Sequence, residues 1–463
     1  MNPWIFGDEY LYLSKARNLA QGIDVLADVN VGHTYPPLYS YLTSLVLGHD
    51  PFLSYQRIQW LNFGVSQLLI LLSLYVLNAV FHWSKSKTGQ FFLLLMYLFL
   101  STSTMLTGYY FVAMSENLYS PLIVFIFSLF FWGISKVRTK NKVILLTYLG
   151  LGLLSGLAIL TRTIGVILLP ALILPLLLHA IQNKNTRKVT LIGTGSILFV
   201  SILTVYLFNV WETSKIVHTS VVQQNYEELS EAYKGVMKEL VLGQLNVFWM
   251  FKIIGNHLTY FFWSSFFFPI LFVINRAGES FRQKKVNYSL FFVLLFTTGS
   301  VLISLLHSYH GFYTNPIRYS TYFRYVDQAV ILVSFYGLIA AWQWFVKKKK
   351  LSLLSRLSWL GICLISIVFL PPRDFYISLN SFGWAWLDIF QSYQWVIRVV
   401  AGLLVLLTLF LVKQKRLLFI LLGGIILLQT LSLPVIKRMH LWLGGGFVEI
   451  NEPIREVAVE KGI

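Results

Sequence analysis

The chain has 463 residues, of which 56% are hydrophobic and 12% charged, with a mean hydropathy of +0.67. That balance excludes an ordinary soluble domain, in which about a quarter of the residues carry charge. The net charge of +18 does not point to nucleic acid, because the basic residues sit in short connections between apolar runs rather than in one patch.

In chain order, the first element is the stretch FGDEYLYLSKARNLAQG, residues 6–22. Its spacing predicts a short amphipathic helix. From Leu13 an apolar side runs through Ala16, Ala20 and Ile23, while Ser14, Arg17, Asn18 and Gln21 share the other side. Such a helix suits a membrane surface, and two adjacent acids, Asp8 and Glu9, stand at its upstream end. Twelve apolar runs long enough to cross a bilayer follow, at about 59–82, 88–110, 115–134, 143–160, 163–182, 189–211, 257–275, 287–307, 326–346, 354–370, 395–412 and 416–434. The predicted fold class is all-α, a polytopic membrane helical bundle.

Basic residues occupy alternate connections. They are Lys85 and Lys87; Lys136, Arg138, Lys140 and Lys142; Lys184, Arg187 and Lys188; Arg276, Arg282, Lys284 and Lys285; Lys347 to Lys350 with Arg356; and Lys413, Lys415 and Arg416. These six connections hold 21 of the 37 Lys and Arg, and the positive-inside rule assigns them to the cytoplasm. Of the 19 Asp and Glu, only Glu279 falls among them. This orientation places residues 1–58 in an outer loop, the bundle at 59–434 with outer loops at about 212–256, 308–325 and 371–394, and an outer tail at 435–463. A first loop with these acids and no signal peptide implies a further span upstream of Met1, thirteen in an intact protein. The tail NEPIREVAVEKGI reads as the start of a further soluble domain. The single cysteine, Cys363, permits neither an internal disulfide nor a cysteine-based metal cage.

Several outer-face residues fit both a chemical and a structural role. Asp8 suits a general base or a helix cap, and Glu9 an orienting neighbour or a first-turn acid. Arg17 suits a phosphate ligand or the partner of a nearby acid. Arg162 lies in a connection of about three residues between two apolar segments, where a charge is either functional or snorkelling. Glu116, at the mouth of a span, is either a second acid of a site or a helix-start acid capped by Ser115. His33, His307 and His310 make a divalent metal possible, without helical i,i+4 ligand spacing among them. The loop HSYHGFYTNPIRYSTYFRYVD, with Arg318, has the composition of an interfacial aromatic belt. The segment NYEELSEAYKGVMKELVLGQL reads as an interfacial amphipathic helix or a lid.

Four motifs together resemble GT-C glycosyltransferases, in particular the lipid A aminoarabinose transferase and protein O-mannosyltransferase families. They are Asp8, Glu9, Tyr12, Ala16, Arg17 and Gly22 followed by Pro36, Pro37 and Leu38; AMSENLYSPL; GLLSGLAILTRTIGVILLP; and FRYVDQAVIL. The resemblance implies a GT-C bundle with its site on the extracytoplasmic face. It implies transfer of a sugar from a polyprenyl-phosphate-linked donor to an extracytoplasmic acceptor by inverting displacement. Asp8 would be the base, Arg162 an active-site arginine, and Arg324 and Tyr325 the late motif that meets the lipid phosphate. The lone Glu116, where such families often carry an aspartate, leaves a metal role open. The implied partners are the lipid-linked donor, the acceptor and the lipid bilayer of a bacterial or archaeal plasma membrane, with no nucleic acid. A multi-span transporter or lipid flippase is the alternative, as is a binding protein that kept the fold.

Overall fold

The computed structural model describes residues 7–22, 36–136, 141–214, 247–314, 323–347, 351–368, 394–411 and 416–436, with Lys238 and Ala385 between them. Outside the described residues lie His33, Arg318, the loop segments 215–237 and 239–246, the loop 369–384 and 386–393, and the tail from 437. The basic residues Arg138, Lys140, Lys348 to Lys350, Lys413 and Lys415 lie outside them too. For Asp8, Glu9 and His310 the backbone alone is described.

The described chain is helical, with no strand among the described residues. Its elements are α1 (Gly7–Gln21), α2 (Pro37–Ser44), α3 (Pro51–Phe81), α4 (Lys87–Ser101), α5 (Thr104–Tyr110), α6 (Glu116–Lys136), α7 (Asn141–Thr161) and α8 (Leu168–Gln182). They continue with α9 (Arg187–Thr213), α10 (Val247–Ser264), α11 (Phe268–Arg282), α12 (Tyr288–Thr314), α13 (Arg324–Val346), α14 (Leu353–Val368), α15 (Gln394–Leu411) and α16 (Leu417–Ile436).

The described residues of all twelve predicted apolar runs are largely helical, but the runs do not make twelve straight spans. Among the described residues eight helices are long and apolar enough to cross a membrane, or up to ten if each of two bent pairs is one span. The first begins at Leu53 rather than near 59. The run 88–110 is α4 and α5, bent by 52°. The run 257–275 is α10 and α11, bent by 104°. At this second break Phe266 and Phe267 take φ of 54° and 59°, the left-handed region, and Pro269 stands in the first turn of α11. Two bulky residues at positive φ cost about 1–2 kcal/mol each. Both rings are buried, so their packing opposes that strain. The described parts of α14 and α15 hold shorter apolar stretches, Leu353–Ile367 and Arg398–Phe410.

Helix α13 is central: 83% of its apolar window is buried, against 22% for the segment Lys184–Thr213 that contains α9. Small residues let spans approach closely: a Cβ at Gly156 of α7 would lie 2.7 Å from the Thr204 Cβ on α9.

The helix ends sort by charge. Glu116 starts α6 and Lys136 ends it; Arg324 starts α13 and Lys347 follows it. The basic connections meet one another: Asn183 Nδ2 donates to Tyr288 Oη at 3.2 Å, and Ser352 N to Asn275 Oδ1 at 3.3 Å. The bundle therefore has a lysine-rich end and, opposite, an end bearing Glu116, Arg162 and Arg324.

Candidate active site

Three chain turns bring the charges together at the Glu116 end. The turn before α6 is anchored to α3, where Tyr55 Oη donates to Phe111 O at 3.0 Å and Asn62 Nδ2 to Val112 O at 3.0 Å. Asn117 Nδ2 reaches back to Val112 O and Met114 O at 2.8 and 2.9 Å. The turn after α7 leaves Arg162 in extended backbone (φ −150°, ψ 134°) before a 3-10 turn at Thr163–Ile167. Gly165 makes that turn possible: its N–H donates to Arg162 O at 2.8 Å, and a Cβ there would lie 2.7 Å from the Ala158 backbone. The third turn starts α13 at Arg324.

Glu116 is 1% exposed and forms an ion pair with Arg162, itself 7% exposed. Arg324 Nε lies 4.0 Å from the same Glu116 Oε1. Both guanidiniums stand over the Tyr325 ring, at 5.0 Å for Arg162 and 5.5 Å for Arg324. The His307 ring meets Tyr325 edge-on at 5.3 Å. Four residues singled out in the sequence, Glu116, Arg162, Arg324 and Tyr325, thus form one cluster. Arg162 does not snorkel: its charge is held inward by a buried carboxylate.

Helix α1 joins this cluster through Tyr12, whose Oη lies 2.8 Å from Ser115 Oγ; Ser115 Oγ in turn donates to Glu116 Oε2 at 3.3 Å. Asp8 and Glu9 lie in helical backbone at the start of the described part of α1, directly after Gly7. Asp8 stands one turn before Tyr12, at the i−4 position on the same stretch of helix. The expected apolar side of α1 packs only in part: Ala16 is buried and Leu13 half-buried, but residues of the expected polar side are buried too. Tyr12, Ser14, Lys15, Ala16 and Asn18 are buried, whereas Ala20 is exposed. The cause is that α1 is wedged between neighbours, with Tyr12 edge-on to Tyr39 at 5.4 Å and packed with Leu38, Leu118 and Leu160. Arg17 is exposed on α1.

Residues that the sequence reading did not single out complete the arrangement. Lys15 forms a buried ion pair with Glu212 at the end of α9, tying α1 down at a second point. Burial lowers the Lys15 pKa, against the opposing attraction of Glu212. Asp327, fully buried one turn into α13, accepts hydrogen bonds from Tyr109 Oη at 3.0 Å and from Tyr260 Oη. The signal for Asp327 was present in FRYVD, since a carboxylate one turn inside an apolar span is costly unless paired. For Lys15 there was none.

Chemically, the cluster offers two planar guanidiniums, each with five fixed donors suited to phosphate or carboxylate oxygens. Among the described residues no group of three or more His, Cys, Asp or Glu is placed to hold a metal ion. A largely apolar groove of about 530 Å³ between α3 and α4, lined by Leu74, Tyr75, Asn78, Gln90 and Leu94 among others, lies toward the lysine-rich end, away from the cluster.

No family model matches the chain, and no curated protein matches it either. Among solved structures, it is similar to ArnT from Cupriavidus metallidurans in the apo state, at 14% identity and a TM-score of 0.47, over 94% of this chain and 73% of that one.

Proposed function

We propose that this integral membrane protein is a GT-C-type glycosyltransferase that moves a sugar from a polyprenyl-phosphate-linked donor to an acceptor at the extracytoplasmic face. The observation that carries the reading is the convergence of Glu116, Arg162, Arg324 and Tyr325 at the bundle end opposite the lysines. The positive-inside rule assigns that end to the outside. The motif resemblance supports the same residues independently of their geometry.

In this reading the arginines take the donor's phosphate, and Glu116 holds Arg162 in place. Asp8, on the helix that Tyr12 links to Ser115, accepts the proton of the acceptor hydroxyl as its oxygen attacks the anomeric carbon. The bond from that carbon to the phosphate oxygen breaks, its electron pair stays with the phosphate, and polyprenyl phosphate leaves with inversion at the sugar. Charge that builds on the departing phosphate meets preorganised donors in a site of low dielectric, where such interactions are strongest. A carrier is disfavoured, because its charged sites belong near the midplane, whereas Glu116, Arg162 and Arg324 lie where helices begin and end.

The test is direct binding of decaprenyl phosphate to the purified full chain. Arg162→Gln and Arg324→Gln should each weaken it about tenfold to a hundredfold, the usual value of a charged hydrogen-bond partner. Arg162→Lys should recover only part, because an ammonium lacks the planar fork. Unchanged binding in well-folded variants would overturn the assignment.

A further inference from the structure

We infer that Asp327 is a positioning residue that locks both broken spans to the arginine cluster, an inference that rests on reading that cluster as the lipid-phosphate site. Its two carboxylate oxygens are taken by phenols from two different elements. Tyr109 lies on α5, the outer half of the first bent pair, and its hydroxyl donates to Oδ2 at 3.0 Å. Tyr260 lies on α10, the first half of the second bent pair, and its hydroxyl donates to Oδ1. The Tyr260 ring also stacks flat on Phe323, the residue before Arg324, at 4.2 Å.

The position of Asp327 gives these contacts their consequence. It stands three residues after Arg324, on the same helix face. Tyr109 stands just before the turn that ends in Ser115 and Glu116. One carboxylate therefore spans the two sides of the cluster, the Arg324 side directly and the Glu116 side through α5. A bent helix has lost part of its own backbone ladder at the break, so its orientation must be set by contacts outside itself. Here both bent pairs share one such contact. An apolar residue at 327 would fill the space without fixing either direction, whereas two hydrogen bonds to separate carboxylate oxygens do.

The test uses decaprenyl phosphate binding to the purified full chain, with thermal unfolding measured on every variant. Tyr109→Phe and Tyr260→Phe remove only a hydroxyl and keep the ring, so they preserve packing even if Asp327→Asn fails to fold. Each should weaken binding about threefold to tenfold. In an Arg324→Gln background Tyr260→Phe should add less than about twofold, because Tyr260, stacked on Phe323, acts through the placement of that arginine. Full multiplicative losses in that background, or Phe variants that lower the melting temperature and leave binding untouched, would reduce Asp327 to a structural tie. Unchanged binding in Arg324→Gln alone would instead remove the lipid-phosphate reading itself, so the two failures are distinguishable.

Discussion

The Tyr12 hydroxyl lies 2.8 Å from Ser115 Oγ, across 103 residues of sequence. This contact joins the helix that carries Asp8 and Glu9 to the residue beside Glu116, and so to the arginine cluster. Tyr12 and Ser115 are both buried. Tyr12→Phe should lower unfolding stability by about 0.5–1.5 kcal/mol, the net value of such a bond. If α1 must be registered on the cluster, turnover should fall by more than that loss of folded protein explains. Thermal unfolding and turnover, measured on the same preparation, check this; equal activity per folded molecule would uncouple α1 from the site.

The Glu116–Arg162 pair should be costly to break from one side only. Glu116→Gln leaves a buried guanidinium uncompensated, which typically costs about 3–5 kcal/mol. Replacing both residues by apolar ones, Glu116→Leu with Arg162→Met, should recover much of that stability while abolishing function. Chemical denaturation of the three proteins reads the stability, and an activity assay reads the rest. A double variant less stable than Glu116→Gln would contradict the account of this pair.

The orientation is testable at two exposed positions on opposite ends of the bundle. In a Cys363→Ala background, a cysteine at His49 should react with an impermeant maleimide in intact cells. One at Lys184 should react only after permeabilisation. Labelling of both in intact cells would reverse or remove the sidedness on which the site's location depends.

What was legible in the sequence was set by energetic cost. Charges beside hydrocarbon are expensive, so Arg162, and Glu116 on the same rim, stood out among long apolar runs before any geometry was known, whereas Arg324 and Tyr325 were marked only by the motif resemblance. The alternation of lysine-rich connections likewise separated the two ends of the bundle. The face of α1 was not legible, because a helix wedged among α2, α6, α7 and α9 buries Ser14, Lys15 and Asn18 along with Tyr12. The 104° bend was hidden because Phe266 and Phe267 are not turn residues, and only Pro269 marks the place. The partners of Asp327 lie 218 and 67 residues away. Nothing local in the chain announces either of them.

The base assignment rests on Asp8→Asn. Asn keeps the size and polarity of the side chain at the helix start, and the lost interaction of a carboxylate with the helix dipole is about 0.3–1 kcal/mol. Stability should therefore change little, while turnover should fall about a hundredfold to ten-thousandfold, the usual value of general-base help. Glu9→Gln should cost less. Full turnover with Asn at position 8 would falsify the base role and leave the two acids as a helix start.

The central claim is that the protein breaks the bond between a sugar and a lipid phosphate. The most direct measurement follows the wild-type chain reconstituted in vesicles with polyprenyl-phosphate sugars carrying label in both the sugar and the lipid, together with a membrane extract as acceptor source. Polyprenyl phosphate should appear in a one-to-one ratio with sugar transferred to a new product, and both should fall together, about tenfold or more, in Arg162→Gln. Movement of the doubly labelled lipid across the bilayer with its sugar–phosphate bond intact would instead make the protein a carrier. Saturable binding with no bond cleavage would leave it a binding protein on the same helical frame, and either result would contradict the account.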